Sequence, residues 1–557
     1  MKPIVPAVLV VLFLSSLPVP AQTQPAPKKD EGYFEAVNVT VVNVDVYVTD
    51  KSGNRVPGLG PADFELFEDG RPVQISNFYV VENGKPVAEP AESPAPQATP
   101  SPVAAAAAPL ARPEEQQLSL VIYIDNFNLK PFDRNRVFRE LRQFLTQNVK
   151  QGDRVMLVTY DRERHVRVPF TTDLSAVAAA TFDLEKISAQ GVHQESDRRE
   201  LLDDIDRANN VNDVYSQVRT YAESQYNDLS FTTSALRDFV TSLAGLPGRK
   251  ALLYVSDGLQ IRAGEDLYYA LQEKFKEQVS LLEAQTYDLS RTFQELAAEA
   301  NANRVTFYTI DAAGLRVSSA ASAETNSPRS PQVDQVYVSN LQSPLQMMAE
   351  QTGGLAVLNA NNVLPALQKI AVDFDTYYSL GYTPSHAGDG RYHKIEVKLK
   401  RKGLHARYRD GYRDKTAQSR TADLTMSSLT FGFEQNPLDV ALEFGRPERR
   451  DDGNYLVPLV VKIPLGKVSL LPKEGGERAQ LHVYVAVMDD KGATTPVQDN
   501  PVGVDIPTAK VQQAQQQYYS YEMKLLMAPG NQTVAVAVRD DVGAAVSIVR
   551  RAVAGGG

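Results

Sequence analysis

The chain of 557 residues contains no cysteine and no tryptophan, and only six histidines. Without cysteine there are no disulfides, no thiolate metal sites, no thiol nucleophile and no thioether-linked lipid. Stability must come from packed cores. The histidines, at 165, 193, 386, 393, 405 and 482, are scattered along the sequence without metal-ligand spacing and read as solvated or packed side chains. The sequence lacks a G-x-S-x-G elbow, a P-loop, an H-E-x-x-H helix and a dinucleotide fingerprint, so the common enzyme signatures are missing. It also lacks a basic stripe. The formal net charge is −10, which argues against nucleic acid as a partner.

One apolar run stands at the N-terminus. Lys2, the stretch Ile4 to Leu17 and the small-residue sequence Val19-Pro20-Ala21 read as a secretory signal peptide over residues 1–21. The run contains Pro6 and is shorter than the roughly 20 apolar residues of a membrane span. An uncleaved anchor is the alternative. The expected location is periplasmic or secreted, with no transmembrane segment after cleavage.

The remaining composition is that of a globular protein, with 43% hydrophobic residues. Residues 33–85 read as a small immunoglobulin-like β-domain. Val37–Val41 and Val44–Val48 alternate apolar and polar, and Asp69-Gly70 sits between two strand-like runs as a hairpin turn. Residues 86–116 are rich in Pro, Ala, Ser and Glu and read as a linker.

Residues 117–375 alternate strand-like and helix-like segments, which predicts a doubly wound α/β sheet. A helical insertion is expected over 181–229, where charge dominates and apolar periodicity is weak. A second helix is expected from Ala235. Residues 376–413 return to β as a strand extension, and 424–553 read as a C-terminal β-domain. Asp489-Asp490-Lys491-Gly492, Asp540-Asp541-Val542-Gly543 and Asp451-Asp452-Gly453 are expected hairpin turns rather than calcium loops.

Two buried-strand runs end in acids: Leu118–Ile124 in Asp125, and Ala251–Val255 in Ser256-Asp257-Gly258. Open α/β sheets build their sites at such strand ends. Two carboxylates in one crevice repel unless protons or a cation compensate. An oxygen-only site suits a hard cation such as Mg2+, with Asn126, Asn128, Ser256 and one of Ser230, Thr232 or Thr233 ahead of the next helix as neighbouring oxygen donors. The competing reading is that Asp125 caps its own loop. Asp311, at the end of another strand, is expected to do the same.

At these residues the chain resembles the von Willebrand factor A family over roughly 117–375. It more narrowly resembles acidobacterial von Willebrand factor A-related secreted proteins. There, a motif like VTDKSGNRVPGL…DFELFEDGRPVQI precedes the A domain and a tail like YYSLGYTP…GRYHKIEVKLKRKGLHARYRDGY follows. The resemblance implies a metal-ion-dependent adhesion site, whose motif is Asp-x-Ser-x-Ser with a Thr and a second Asp. Asp125 and Asp257 match the two acids, as metal ligands for Mg2+ or another divalent cation. Phe127 and Leu129 occupy the two serine positions, and the Thr position falls near Thr232. The implied function is a non-enzymatic, exported protein-interaction or adhesion module with a degenerate metal site and an unknown protein partner. A metal-free envelope scaffold is the alternative, and a carboxylate-metal hydrolase a third reading.

Overall fold

The computed structural model describes residues 41–82, 85–87, 117–150, 152–316 and 330–555. The leader reading at 1–21 and residues 88–116 of the linker lie outside them. The chain is a mixed α/β protein.

The run around Leu118 becomes strand β1 (Leu118–Asp125), and every residue of it is buried. Such a run has no polar face to offer water, so it is stable only where both faces are covered. The chain continues through α1 (Pro131–Asn148), β2 (Arg154–Tyr160), β3 (Arg164–Thr171), α2 (Leu174–Leu184), α3 (Gly191–Arg207) and α4 (Asn212–Ser242). Then come β4 (Arg249–Ser256), α5 (Glu265–Phe275), α6 (Ser290–Ala302), β5 (Val305–Asp311), α7 (Pro331–Gln351), β6 (Ala356–Val357) and α8 (Leu364–Asp375). The sheet order is β6-β5-β4-β1-β2-β3. All neighbours are parallel except β3, which runs antiparallel on the edge of β2.

Alternate residues of β1 enter two separate cores. Val121 and Tyr123 join Met156, Val158, Leu252 and Tyr254 beneath α4, α5, α6 and α7. Leu120, Ile122 and Ile124 join Leu157, Leu253 and Val255 beneath α1, α2 and α8. Each of these side chains contributes about 2 kcal/mol on burial. The layering brings the carboxyl ends of β1 and β4 side by side, with Ile124 opposite Val255.

The insertion differs from its expected bounds. α2 runs to Leu184, and α4 is one helix of 31 residues that joins the end of the expected helical insertion to the helix expected separately from Ala235. Val214, Val218, Ala222, Leu229, Thr233, Leu236 and Val240 form one buried stripe along it. Asn212 to Ser242 contains neither Gly nor Pro, so nothing interrupts the helix.

The N-terminal strands and the tail fold together. Val42–Asp50 pairs with Tyr377–Tyr382 and Leu404–Arg407, and Phe64–Glu68 pairs with Tyr392–Leu399. They share one core built from Val44, Val46, Phe64, Leu380, Ile395 and Tyr412, among others. Asp69 and Gly70 both have positive φ, 49° and 76°, as the tight hairpin requires. Lys85–Val87 pairs with Asn77–Glu82, so residues 86 and 87 belong to this sheet and not to the linker.

Residues 424–431, expected as β, are helical. The helix spans Ala417–Phe431, with the Thr416 hydroxyl accepting from the Ser419 N–H (3.0 Å) and Gly432 in the left-handed conformation beyond its end. Leu429 packs against Ala486 and Ala535 of the following β-domain. That domain packs two antiparallel sheets around Val457, Leu459, Val483, Val536 and neighbours. In its turns the side chains of Asp452, Asp489 and Asp540 accept backbone N–H groups two residues on, which is hairpin chemistry. Among the described residues no helix is long and apolar enough to cross a membrane.

Candidate functional site

Asp125 ends β1 and is fully buried. Its Oδ2 accepts from the Tyr254 hydroxyl (2.5 Å), the Ser256 hydroxyl (3.0 Å) and the Asn128 side-chain amide (2.8 Å). Its Oδ1 accepts from the Asn128 backbone N–H at 3.3 Å. Burial pushes the Asp125 carboxyl above its usual range, against the pull of these donors. The same burial, with the Asp125 charge beside it, holds the Tyr254 hydroxyl far above its ordinary pKa, as a donor.

Asp257 lies one residue beyond β4 and carries a separate set of partners. Its Oδ2 accepts from the Lys130 backbone N–H at 2.8 Å, while Oδ1 is buried without a hydrogen bond. Its pKa is pushed up to about 8 by burial and by the nearby Asp133, with Lys130 and Arg316 opposing. Asp311, at the end of β5, caps its own loop at the Ala313 N–H (3.2 Å) and also holds Arg316 (3.0 Å) and Gln342 (2.8 Å).

Of the expected neighbours, Asn128 and Ser256 do face Asp125. Asn126 turns away, its Oδ1 accepting from Arg134 (2.6 Å) and its amide donating to the Ser188 carbonyl (2.9 Å). Thr232 is not on a loop over the sheet. It lies within α4, and its hydroxyl donates to the Asp228 carbonyl at 2.9 Å. The unbroken α4 carries this residue on a helix, where the sequence led one to expect a loop before the next helix. Phe127 and Leu129 are core side chains.

The insertion roofs the crevice. The Gly191 N–H donates to the Leu129 carbonyl (2.9 Å), and the Gln190 N–H to the Asn126 carbonyl (3.1 Å). Beyond them Arg198 binds Asp266 (2.7 Å) and stacks on Tyr337 at 3.4 Å. The space left between Asn128, Lys130, Glu195, Asp257, Arg316 and Tyr337 is about 50 Å3. It has room for a few waters. The donor set does not fit an octahedral Mg2+ ion. Asp125 Oδ2 is already filled by three donors, the two serine positions offer no oxygen, and Asp257 Oδ1 is the free oxygen of the pair.

Sequence reasoning missed Tyr254, Lys130 and Arg316. Tyr254 was accessible: it stands two residues before Ser256, hence on the same strand face, and pairs in register with Tyr123, two before Asp125. It also missed a pair of histidines. His386 and His393, read as isolated, stack with ring centroids 3.8 Å apart.

No family model matches the chain, and no curated protein is similar to it. Among solved structures, it aligns with an aerotolerance-related membrane protein from Bacteroides fragilis NCTC 9343 at 12% identity, covering 46% of this chain and 98% of that one, with a TM-score of 0.24. The conserved hypothetical protein BatB from Bacteroides thetaiotaomicron aligns at 13% identity, over 46% and 96% of the two chains, with a TM-score of 0.23. The human COPII-coat protein Sec24c aligns at 9% identity, over 79% and 43%, with a TM-score of 0.23. At these scores the likenesses carry no argument about this chain's fold or function.

Proposed function

We propose that residues 117–375 are a doubly wound von Willebrand factor A-type domain within an exported, non-catalytic protein-interaction module, and that its contacts do not run through a metal. The sheet order and the acids at the ends of β1 and β4 support the A-type reading. The single observation that carries metal independence is the filled crevice. Asp125 Oδ2 is filled by three neutral donors, and the insertion narrows the space above the strand ends to about 50 Å3. The space of about 50 Å3 beside Asp257 is too small to seat a partner side chain together with a hydrated cation. The β-domains then space and orient the module in the periplasm or outside the cell.

The same closure favours a second reading, a metal-free envelope scaffold whose A-type domain binds nothing at its strand ends. Capture from envelope extract in magnesium and in chelator separates the two. One partner recovered equally in both buffers, and by Asp125→Asn, supports the interaction module. Capture lost in chelator sinks metal independence. No partner above control at any salt concentration leaves the scaffold. Turnover of ester, phosphate or glycoside substrates would overturn the non-catalytic reading.

A further inference from the structure

The Asp69-Gly70 hairpin and the tail meet at a cluster unlike the crevice. Glu68 is buried, and its Oε1 accepts from the Tyr382 hydroxyl (2.6 Å) and the Tyr412 hydroxyl (2.8 Å). That leaves Oε2 facing His386 Nε2 at 3.3 Å. This nitrogen is buried and has no hydrogen-bond partner. The other ring nitrogen of each histidine is held by an acid: His386 Nδ1 by Asp414 (3.0 Å) and His393 Nδ1 by Asp69 (2.9 Å). His393 Nε2 in turn faces Asp389, both of whose oxygens are 3.2 Å away.

We propose that Glu68, His386 and His393 form a binding site for a zinc-class divalent cation, which staples the N-terminal hairpin to the tail. One ligand atom from each of the three lies within 4.8 Å of the others. A tetrahedral shell with bonds of about 2.0–2.1 Å sets its ligand atoms about 3.3 Å apart. That matches the separation of Glu68 Oε2 and His386 Nε2. The Nδ1 contacts, by contrast, have hydrogen-bond lengths. A carboxylate on Nδ1 favours the tautomer that turns Nε2 to a metal, and both rings carry one; His386 Nε2 has no hydrogen-bond partner, and His393 Nε2 faces Asp389 at 3.2 Å, close to the ligand–ligand separation of such a shell.

Asp389 is the nearest fourth donor. A second grouping, of His386 with Asp389 and Asp414, is less suited, because Asp414 Oδ2 already accepts from the Gly388 N–H at 2.6 Å. Two imidazoles with carboxylate select zinc, cobalt, nickel or copper over magnesium or calcium. Of the four acids around the two imidazoles, Asp414 has Arg420 at 3.5 Å, and Glu68, Asp69 and Asp389 still leave negative charge for a cation to offset. An entry path exists, since His386 and Glu68 line a cavity of about 800 Å3 with Arg71, Gln74 and Ser76.

The test uses the full purified chain, stripped with chelator and titrated with Zn2+ by calorimetry and with Co2+ by visible absorption. Expected is one saturable equivalent of Zn2+, and Co2+ bands of a four-coordinate site with nitrogen ligands. Affinity should fall at least tenfold in Glu68→Gln and His393→Gln, and about 10–100-fold in Asp414→Asn. Asp257→Asn should bind as wild type. Glu68→Gln is the deciding variant, because its amide oxygen can still accept from both tyrosines and keep the fold. Near-ultraviolet circular dichroism checks that it does. Absence of saturable Zn2+ binding in the wild type overturns the proposal. So does binding undiminished in Glu68→Gln, loss that instead follows Asp257→Asn, or Mg2+ competing as well as Zn2+.

Discussion

The crevice at Asp125 and the cluster at Glu68 are both buried acids held by tyrosine hydroxyls, yet they are completed differently. At Asp125, Tyr254, Ser256 and Asn128 supply all the donors that its Oδ2 needs. At Glu68, two tyrosines satisfy one oxygen, and the other faces an unpartnered imidazole nitrogen. A carboxylate in a low-dielectric site needs donors, protons or a cation. The comparison therefore separates a hub that is complete from one that is poised to accept a ligand.

The sharpest way to break that comparison is to delete the complete hub. Asp125→Ala leaves the Tyr254, Ser256 and Asn128 donors unpaired in a dry interior, and should cost about 4 kcal/mol. Asp125→Asn keeps one acceptor oxygen and should cost about 1 kcal/mol. Urea unfolding checks both, with and without Mg2+, which should shift neither. Equal losses in the two variants would mean that the hydrogen bonds are not what holds this strand end.

Asp257 gives the next effect, through pH. Its carboxyl titrates near 3.8 when unfolded and is pushed up to about 8 in the fold. Between those values the native state keeps a proton that the unfolded chain has released. Stability should therefore fall as pH rises from about 4 to 8 and level off above. Asp257→Asn should flatten that slope in urea midpoints measured across the window. An unchanged slope would place the titration elsewhere.

Glu68 should show a smaller effect in chelator. Glu68→Ala orphans the Tyr382 and Tyr412 hydroxyls and should cost about 2 kcal/mol. Glu68→Gln should unfold like wild type. A large loss in Glu68→Gln would mean that its charge, and not its hydrogen bonding, supports the metal-free fold.

What was legible in the sequence follows the range of the interactions. Leu118–Ile124 announces a strand covered on both faces because the signal lies in neighbouring residues. Asp69-Gly70 announces its turn for the same reason. The Asp125 loop was half legible: Asn128 is local to its acid, while Ser256 and Tyr254 reach Asp125 only through the register of two strands. The Glu68 cluster was not legible, because Asp69 and His393 stand 324 residues apart and meet only after the tail pairs with Phe64–Glu68. Residues 424–431, expected as β, belong to the helix Ala417–Phe431, whose start rests on one threonine cap and whose packing face is set by a distant sheet. The roof over the crevice was hidden too, since the charged residues of 181–229 show little of the stripe that buries α4.

That roof supplies the smallest and most specific test. A β-carbon at Gly191 would lie 2.7 Å from the carbonyl carbon and oxygen of Leu129, which are backbone atoms in the loop that follows Asp125 and carries Asn128. Backbone cannot rotate aside as a side chain can, so Gly191→Ala must push α3 off the loop or displace the loop itself. The expected cost is about 1 kcal/mol, in the lower part of the range for overpacking. If the insertion closes the crevice, hydrogen exchange at the Lys130 N–H, which donates to Asp257, should quicken in this variant. The Tyr382 and Tyr412 strands should exchange as before. Exchange unchanged at Lys130 would mean that the loop is held from below, by Asp125 and the sheet, and that the insertion rests on a crevice already closed without it.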